Sequence, residues 1–169
     1  TTSFDLPNRR IVTTKPGGAV TTIELDSLGR TNRTHLETGP GSSDIETHLG
    51  YDLDDNIVFE SDGLTASATA FDAHGRAIAT KYADGTVTTT DYDEWARAKS
   101  VEDLSADPTP QVAGETSYDF TDAGTLKTVR TKVDSTTERR TDFAWDGGGR
   151  TTSTATAGRA TKSTFDPAG

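Results

Sequence analysis

An aromatic residue or Leu followed directly by Asp recurs along the whole chain. The copies are Phe4-Asp5, Leu25-Asp26, Tyr51-Asp52, Phe71-Asp72, Tyr92-Asp93, Tyr118-Asp119, Trp145-Asp146 and Phe165-Asp166, with successive Asp residues 21, 26, 20, 21, 26, 27 and 20 positions apart. A period in that range marks a repeat array, in which each unit is one small supersecondary element that depends on its neighbours for burial. Three copies run on as a complete Asp-x-x-Gly-Arg corner: Asp26/Gly29/Arg30, Asp72/Gly75/Arg76 and Asp146/Gly149/Arg150. Such a corner has a direct physical basis. Asp at the first turn position accepts from the backbone two residues on, and Gly supplies the left-handed conformation that closes a short hairpin. Other copies vary: Asn8, Asp55 and Ala96 fall at the Gly position, Arg97 follows Ala96, and Tyr118-Asp119 leads into a stretched Asp119-Phe120-Thr121-Asp122-Ala123-Gly124.

Between the corners lie Pro16-Gly17-Gly18, Gly39-Pro40-Gly41, Asp62-Gly63, Asp84-Gly85, Asp107-Pro108, Asp134-Ser135 and Gly158. These residues accept positive φ, preset φ or hydrogen-bond their own backbone, so each marks a second turn within its unit. Every unit therefore reads as strand, turn, strand, corner. Parity agrees: Ile45, Thr47, Leu49 and Tyr51 alternate with Glu46 and His48, and Thr141, Phe143 and Trp145 alternate with Asp142 and Ala144. That is the half-buried strand pattern of an antiparallel sheet with the aromatics on one face. No segment sustains a helical period.

Composition decides between a folded ribbon and a disordered acidic tail. Leu, Ile, Val and Phe supply under a fifth of the 169 residues and the net charge is −10. That combination usually marks disorder. About one residue in five is Thr, however. Thr suits a pleated, half-buried surface, and disordered tails keep no repeat clock. The expected fold is all-β, made of antiparallel hairpin repeats over residues 1–169, with little core of its own and no second domain. The chain opens just ahead of one repeat and stops in the turn of another, as a segment cut from a longer array would. The balance of 27 Asp+Glu against 17 Lys+Arg argues against a phosphate-binding surface and a nucleic-acid partner. No run of about 18 apolar residues offers a membrane-spanning helix. Without Cys there are no disulfides and no thiol chemistry.

No residue set announces catalysis. Asp52-Leu53-Asp54-Asp55-Asn56 opens like a calcium loop, but Ile57 stands where the sharp turn needs Gly and Gly63 where the bidentate Glu belongs. His35, His48 and His74 share no metal-ligand spacing. Gly147-Gly148-Gly149-Arg150 lacks the Lys-Ser/Thr of a phosphate loop and keeps the repeat clock, and Asp84-Gly85-Thr86 falls on a turn. No Gly-x-Ser-x-Gly elbow occurs. The Asn32-Arg33-Thr34 sequon bears only on a glycosylating secretory pathway. No catalytic, cofactor or metal residues are therefore expected, and the chain reads as a non-enzyme. The repeating corner residues read as scaffold: Asp26, Gly29, Arg30, Tyr51, Asp52, Phe71, Asp72, Gly75, Arg76, Tyr92, Asp93, Arg97, Tyr118, Asp119, Trp145, Asp146, Gly149 and Arg150. The Asp residues should fix turns, while Arg30, Arg76, Arg97 and Arg150 pair across neighbouring units above stacked aromatics.

Corners of the form [YFW]-Asp-x-x-Gly-Arg with intervening Asp-Gly or Pro-Gly turns resemble, over the entire chain, the YD repeats of RHS (rearrangement hot spot) proteins. Similar repeats occur in bacterial polymorphic toxins, in insecticidal toxin-complex B and C components, in wall-associated proteins and in teneurins. The resemblance implies a spiralling sheet that forms part of a large β-shell or barrel and encloses and shields an effector or other polypeptide. It also implies a secreted or cell-surface bacterial location. Its partners would be the remainder of the parent RHS protein and an enclosed effector domain, and sheet edges could pair in self-association. A closing Asp-Pro-x-Gly-Leu motif, as in the toxins, is absent, since Phe165-Asp166-Pro167-Ala168-Gly169 fits another corner. The rival reading is a carbohydrate- or protein-binding adhesion module that uses exposed rings such as Trp95, Tyr82 and Trp145.

Overall fold

Thr-rich stretches of alternating parity, cut every few residues by turn formers, fold back on themselves repeatedly. The computed structural model describes residues 1–39, 43–106, 112–134 and 136–163. Those residues are all-β, with fifteen strands, and within each of two units every strand pairs antiparallel with its neighbours in the sequence. The expected corner at Phe165-Asp166 lies outside the described residues, as do Pro40-Gly41, Asp107-Pro108 and Ser135 of the expected turns.

Two units divide the chain, Thr1–Asp84 and Gly85–Gly169. The first carries β1 (Thr2–Asp5), β2 (Arg10–Thr14), β3 (Val20–Leu25), β4 (Thr31–Glu37), β5 (Ile45–Tyr51), β6 (Ile57–Ser61), β7 (Ala66–Phe71) and β8 (Ala77–Tyr82). The second carries β9 (Val87–Tyr92), β10 (Ala98–Leu104), β11 (Val112–Phe120), β12 (Leu126–Lys132), β13 (Glu138–Trp145), β14 (Thr151–Thr156) and β15 (Arg159–Lys162).

Directly opposed residues share a face, so the register sorts the side chains. In the first unit Phe4, Ile11, Ile23, Thr34 and Thr47 fall in one row across β1 to β5. The opposite face carries a row of charges: Arg10 meets Glu24 at 3.4 Å, Glu24 meets Arg33 at 3.3 Å, Arg33 pairs with Glu46, and Glu46 meets His48 at 2.9 Å. The second unit repeats the division. Tyr118, Val129, Thr141 and Thr156 share a face, while Arg130–Asp119 at 2.6 Å, Arg140–Asp142 at 2.9 Å and Lys132–Glu115 lie on the other. Threonines on the apolar side link neighbouring strands by hydroxyl contacts, Thr69 to Thr80 at 3.2 Å and Thr141 to Thr156 at 2.8 Å.

Among the described residues no apolar side chain is buried; the buried side chains are Thr22 and Thr128. Thr128 donates to the Asp142 carboxylate at 2.8 Å. Each unit is thus a single layer held by its ladder and its cross-strand pairs, with the rings only half covered.

A feature with no obvious sequence mark recurs beside the corners. The strand leaving each of six corners carries one unpaired residue, a β-bulge, six positions after the first turn residue: Asn32, Val58, Ile78, Lys99, Lys127 and Thr152. A bulge bends the strand and increases its local twist. It also shifts parity by one, which is why Thr31 opposes Leu25 while Arg33 opposes Glu24. Without that extra residue Arg33, Lys81 and Arg130 would turn to the face of the rings.

Candidate functional site: the row of corners and their arginine clasps

At Asp26 the backbone makes a three-residue loop of the type I plus bulge kind. Gly29 N–H donates to the Asp26 carbonyl at 3.2 Å, Asp26 N–H donates to the Arg30 carbonyl at 2.8 Å, and Gly29 sits at φ 85°. The Asp26 carboxylate then collects four further local donors. One oxygen accepts the Leu28 and Arg30 N–H groups, each at 2.9 Å, and the other accepts Arg30 Nε and Nη2, each at 2.8 Å. Asp72 with Gly75 and Arg76, Asp93 with Arg97, and Asp146 with Gly149 and Arg150 repeat this pattern of donors and acceptors. At Asp52 the same role of partner falls to Asn56, whose amide nitrogen donates to the carboxylate at 2.9 Å.

The arginine does more than close its own turn. Arg30 lies over the Tyr51 ring at 4.4 Å from its centroid, and its Nη1 donates to the Asp52 carbonyl at 3.1 Å and to the Asp55 carboxylate. The corner at Asp26 is therefore clasped to the next one by a cation over a ring and two hydrogen bonds. Arg97 lies in the same way over Phe120, at 4.1 Å. The rings reach back as well. Tyr51 donates its hydroxyl to the Thr31 carbonyl at 2.8 Å, and Trp145 donates its indole N–H to the Leu126 carbonyl at 2.6 Å. Thr31 and Leu126 each stand immediately before a bulge, so in both places the ring donor satisfies the backbone where the ladder is interrupted.

Two corners depart from the sequence expectation. Asp119 was expected to open a turn, but it lies inside β11, where it pairs with Arg130 at 2.6 Å, and Tyr118 opposes Val129. The turn begins two residues later: Thr121 N–H donates to the Thr125 carbonyl and Gly124 N–H to the Thr121 carbonyl, both at 2.8 Å. Phe120 takes the ring position, and the Thr121 hydroxyl oxygen accepts the Thr125 N–H at 3.2 Å as the Asp carboxylate does elsewhere. At the first corner the left-handed residue is Arg9, at φ 50°, and not Asn8; Asn8 instead donates its side-chain amide to Asp5 at 2.8 Å. The turn between β14 and β15 falls at Gly158 as expected, with Ala157 at φ 46° beside Gly158 at φ 79°. Positive φ at both central residues is the type I′ hairpin geometry. Asp55 and Ala96 do take the left-handed conformation, at φ 66° and 63°.

Phe71 and Tyr92 close β7 and β9, each half-buried. The expected ring platform is divided. Trp95 is 67% exposed and Tyr82 46% exposed, whereas Trp145 is half-buried and committed through its N–H. Trp95 also lies beside Arg97, at 4.8 Å from ring centroid to guanidinium.

The corners hold their carboxylates ionised. Hydrogen bonds from the Arg76 side chain, then from its backbone N–H, lower Asp72 from the ordinary 3.8 to about 2. At Asp26 and Asp93 partial burial pushes upward, and the donors of Arg30 and Arg97 outweigh it, so both are lowered. At Asp146 the backbone N–H of Arg150 leads in the same direction. The Asp134 turn, with donors from Thr136 and Thr137, is also lowered to about 2. No group of His, Cys, Asp and Glu among the described residues is arranged to hold a metal ion.

No family model matches this chain, and no curated protein matches it. Solved structures do. A crystal structure of TcdB2-TccC3 aligns over 90% of this chain with a TM-score of 0.41 and 14% identity. TcdB2-TccC3-Cdc42 aligns over 95% with a TM-score of 0.40 and 14% identity. The Photorhabdus luminescens Tc holotoxin pore aligns over 95% with a TM-score of 0.31 and 15% identity. The chain spans 11 to 12% of the length of these chains. The likeness runs over most of this chain at distant sequence identity.

Proposed function

We propose that this chain is a stretch of wall in an RHS-type shell, continuous with further repeats and enclosing an effector or other polypeptide in a secreted or surface-exposed bacterial protein. The observation that carries the reading is the pairing of two properties. The corners at Asp26 and Asp93 are each clasped to the following corner by arginine and ring, and among the described residues no apolar side chain is buried within the layer. A layer built so regularly, yet with a half-covered face of Ile, Thr and aromatic residues, suits a partition with another polypeptide on one side. Its mechanism is geometric: a continuous ladder leaves no gap for a protease, and the corner carboxylates are spent on their own turns. The test is limited proteolysis of the full-length product of the reading frame. Expected is a segment outside the repeats that survives intact while the repeats are whole and is cut once they are unfolded. Cleavage of that segment at the rate of its free form would contradict the proposal.

A further inference from the structure

The two clasps are equivalent position by position, and the comparison exposes a gap. Asp26-Ser27-Leu28-Gly29-Arg30 faces Asp52-Leu53-Asp54-Asp55-Asn56, and Asp93-Glu94-Trp95-Ala96-Arg97 faces Thr121-Asp122-Ala123-Gly124-Thr125. In the first pair Arg30 uses Nε and Nη2 on its own Asp26, and Nη1 on the Asp55 carboxylate. In the second pair Arg97 uses Nε and Nη2 on Asp93, and the place of Asp55 belongs to Gly124. A Cβ built on Gly124 would stand 3.6 Å from Arg97 Nη1. Among the described residues no carboxylate other than that of Asp93 is paired with Arg97. A cavity of about 350 Å³ opens at this place, lined by Trp95, Arg97, Phe120, Thr121, Asp122 and Gly124.

We infer that this cavity is a carboxylate slot, in which Arg97 Nη1 receives an acidic side chain of a peptide as Arg30 Nη1 receives Asp55. The occupant is argued from the chain itself, which fills the equivalent slot with an aspartate. A guanidinium already fixed by Asp93 and two rings is preorganised for such a bond, and its charge-assisted hydrogen bond is of the stronger kind. The exposed Trp95 ring supplies an apolar wall beside it. Asp122 lines the same cavity and opposes anions, which keeps affinity low and favours a carboxylate delivered with peptide contacts over a bare anion. This slot does not depend on the shell reading.

The test is an NMR titration of the full chain, read at the Arg97 Nε–H and Trp95 indole resonances. The probes are a blocked Gly-Asp-Gly peptide, its Gly-Asn-Gly counterpart and acetate. Saturable shifts are expected with the Asp peptide, about tenfold weaker with the Asn peptide. Gly124→Asp should fill the slot from within and weaken the Asp peptide about tenfold, because Asp already adopts the left-handed conformation at position 55. In Asp55→Gly a second saturable site should appear at Arg30. Acetate should bind more weakly than the Asp peptide by about tenfold or more, and acetate binding as tightly as the peptide would overturn the peptide as the occupant. No saturable shift in the natural chain, undiminished binding in Gly124→Asp, or no new site in Asp55→Gly would each overturn it.

Discussion

The corners at Asp26 and Thr121 make the same backbone hydrogen bonds with different side chains. At Asp26 a carboxylate gathers two N–H groups and an arginine; at Thr121 a hydroxyl takes one N–H, and Thr125 stands where the arginine would be. Both place a glycine at positive φ, Gly29 at 85° and Gly124 at 83°. The turn therefore needs only a left-handed residue and an oxygen acceptor at its first position. The carboxylate and arginine add the link to the next corner. Turn and clasp are separable functions of one motif.

The largest effect that separation predicts is a shared one. Gly29→Val and Gly124→Val should each cost roughly 1–2 kcal/mol through φ strain, since nothing stands within 4 Å of a Cβ at Gly29 and only the Arg97 guanidinium does at Gly124. Denaturant unfolding of the two variants checks it. A loss confined to Gly29 would mean that the Thr121 turn is not an equivalent corner. A smaller effect should distinguish the two. Asp26 and Asp72 have folded pKa values below the ordinary 3.8, with Asp72 at about 2, so their contribution is complete above 3.8 and is lost as pH falls toward 2. Amide protection at Asp26 and Asp72 should decline over that window, while protection at Thr121, whose acceptor does not titrate, should change less. Equal decline at all three would tie acid sensitivity to the sheet as a whole and not to the corner carboxylates.

Much of this was legible in the residues. Asp-x-x-Gly-Arg states its own turn, because each residue type has one local reason to be there, and Thr alternation states the strands. The errors are equally physical. Tyr118-Asp119 looks like a corner, but Asp119 is drawn into β11 by Arg130 from the neighbouring strand, a contact no local pattern reveals. Phe120-Thr121 was readable in hindsight from Gly124, which lies three residues after Thr121 just as Gly29 lies three after Asp26. Arg9 takes the left-handed place because Asn8 spends its amide on Asp5. The bulges at Asn32, Val58, Ile78, Lys99, Lys127 and Thr152 share no residue type, so only pairing register shows them. The expected pairing of arginines across units needed geometry to become specific: Arg30 meets a ring, a carbonyl and a carboxylate of the next corner at once.

The claim that successive corners hold one another is tested most directly by a double-mutant cycle on Arg30 and Tyr51. The melting temperature is measured for Arg30→Gln, Tyr51→Leu and the two combined. The clasp predicts that the combined loss falls clearly short of the sum of the single losses, because either substitution alone already breaks the contact between guanidinium and ring. Strictly additive losses would show that Arg30 serves its own turn alone and that the corners stand independently.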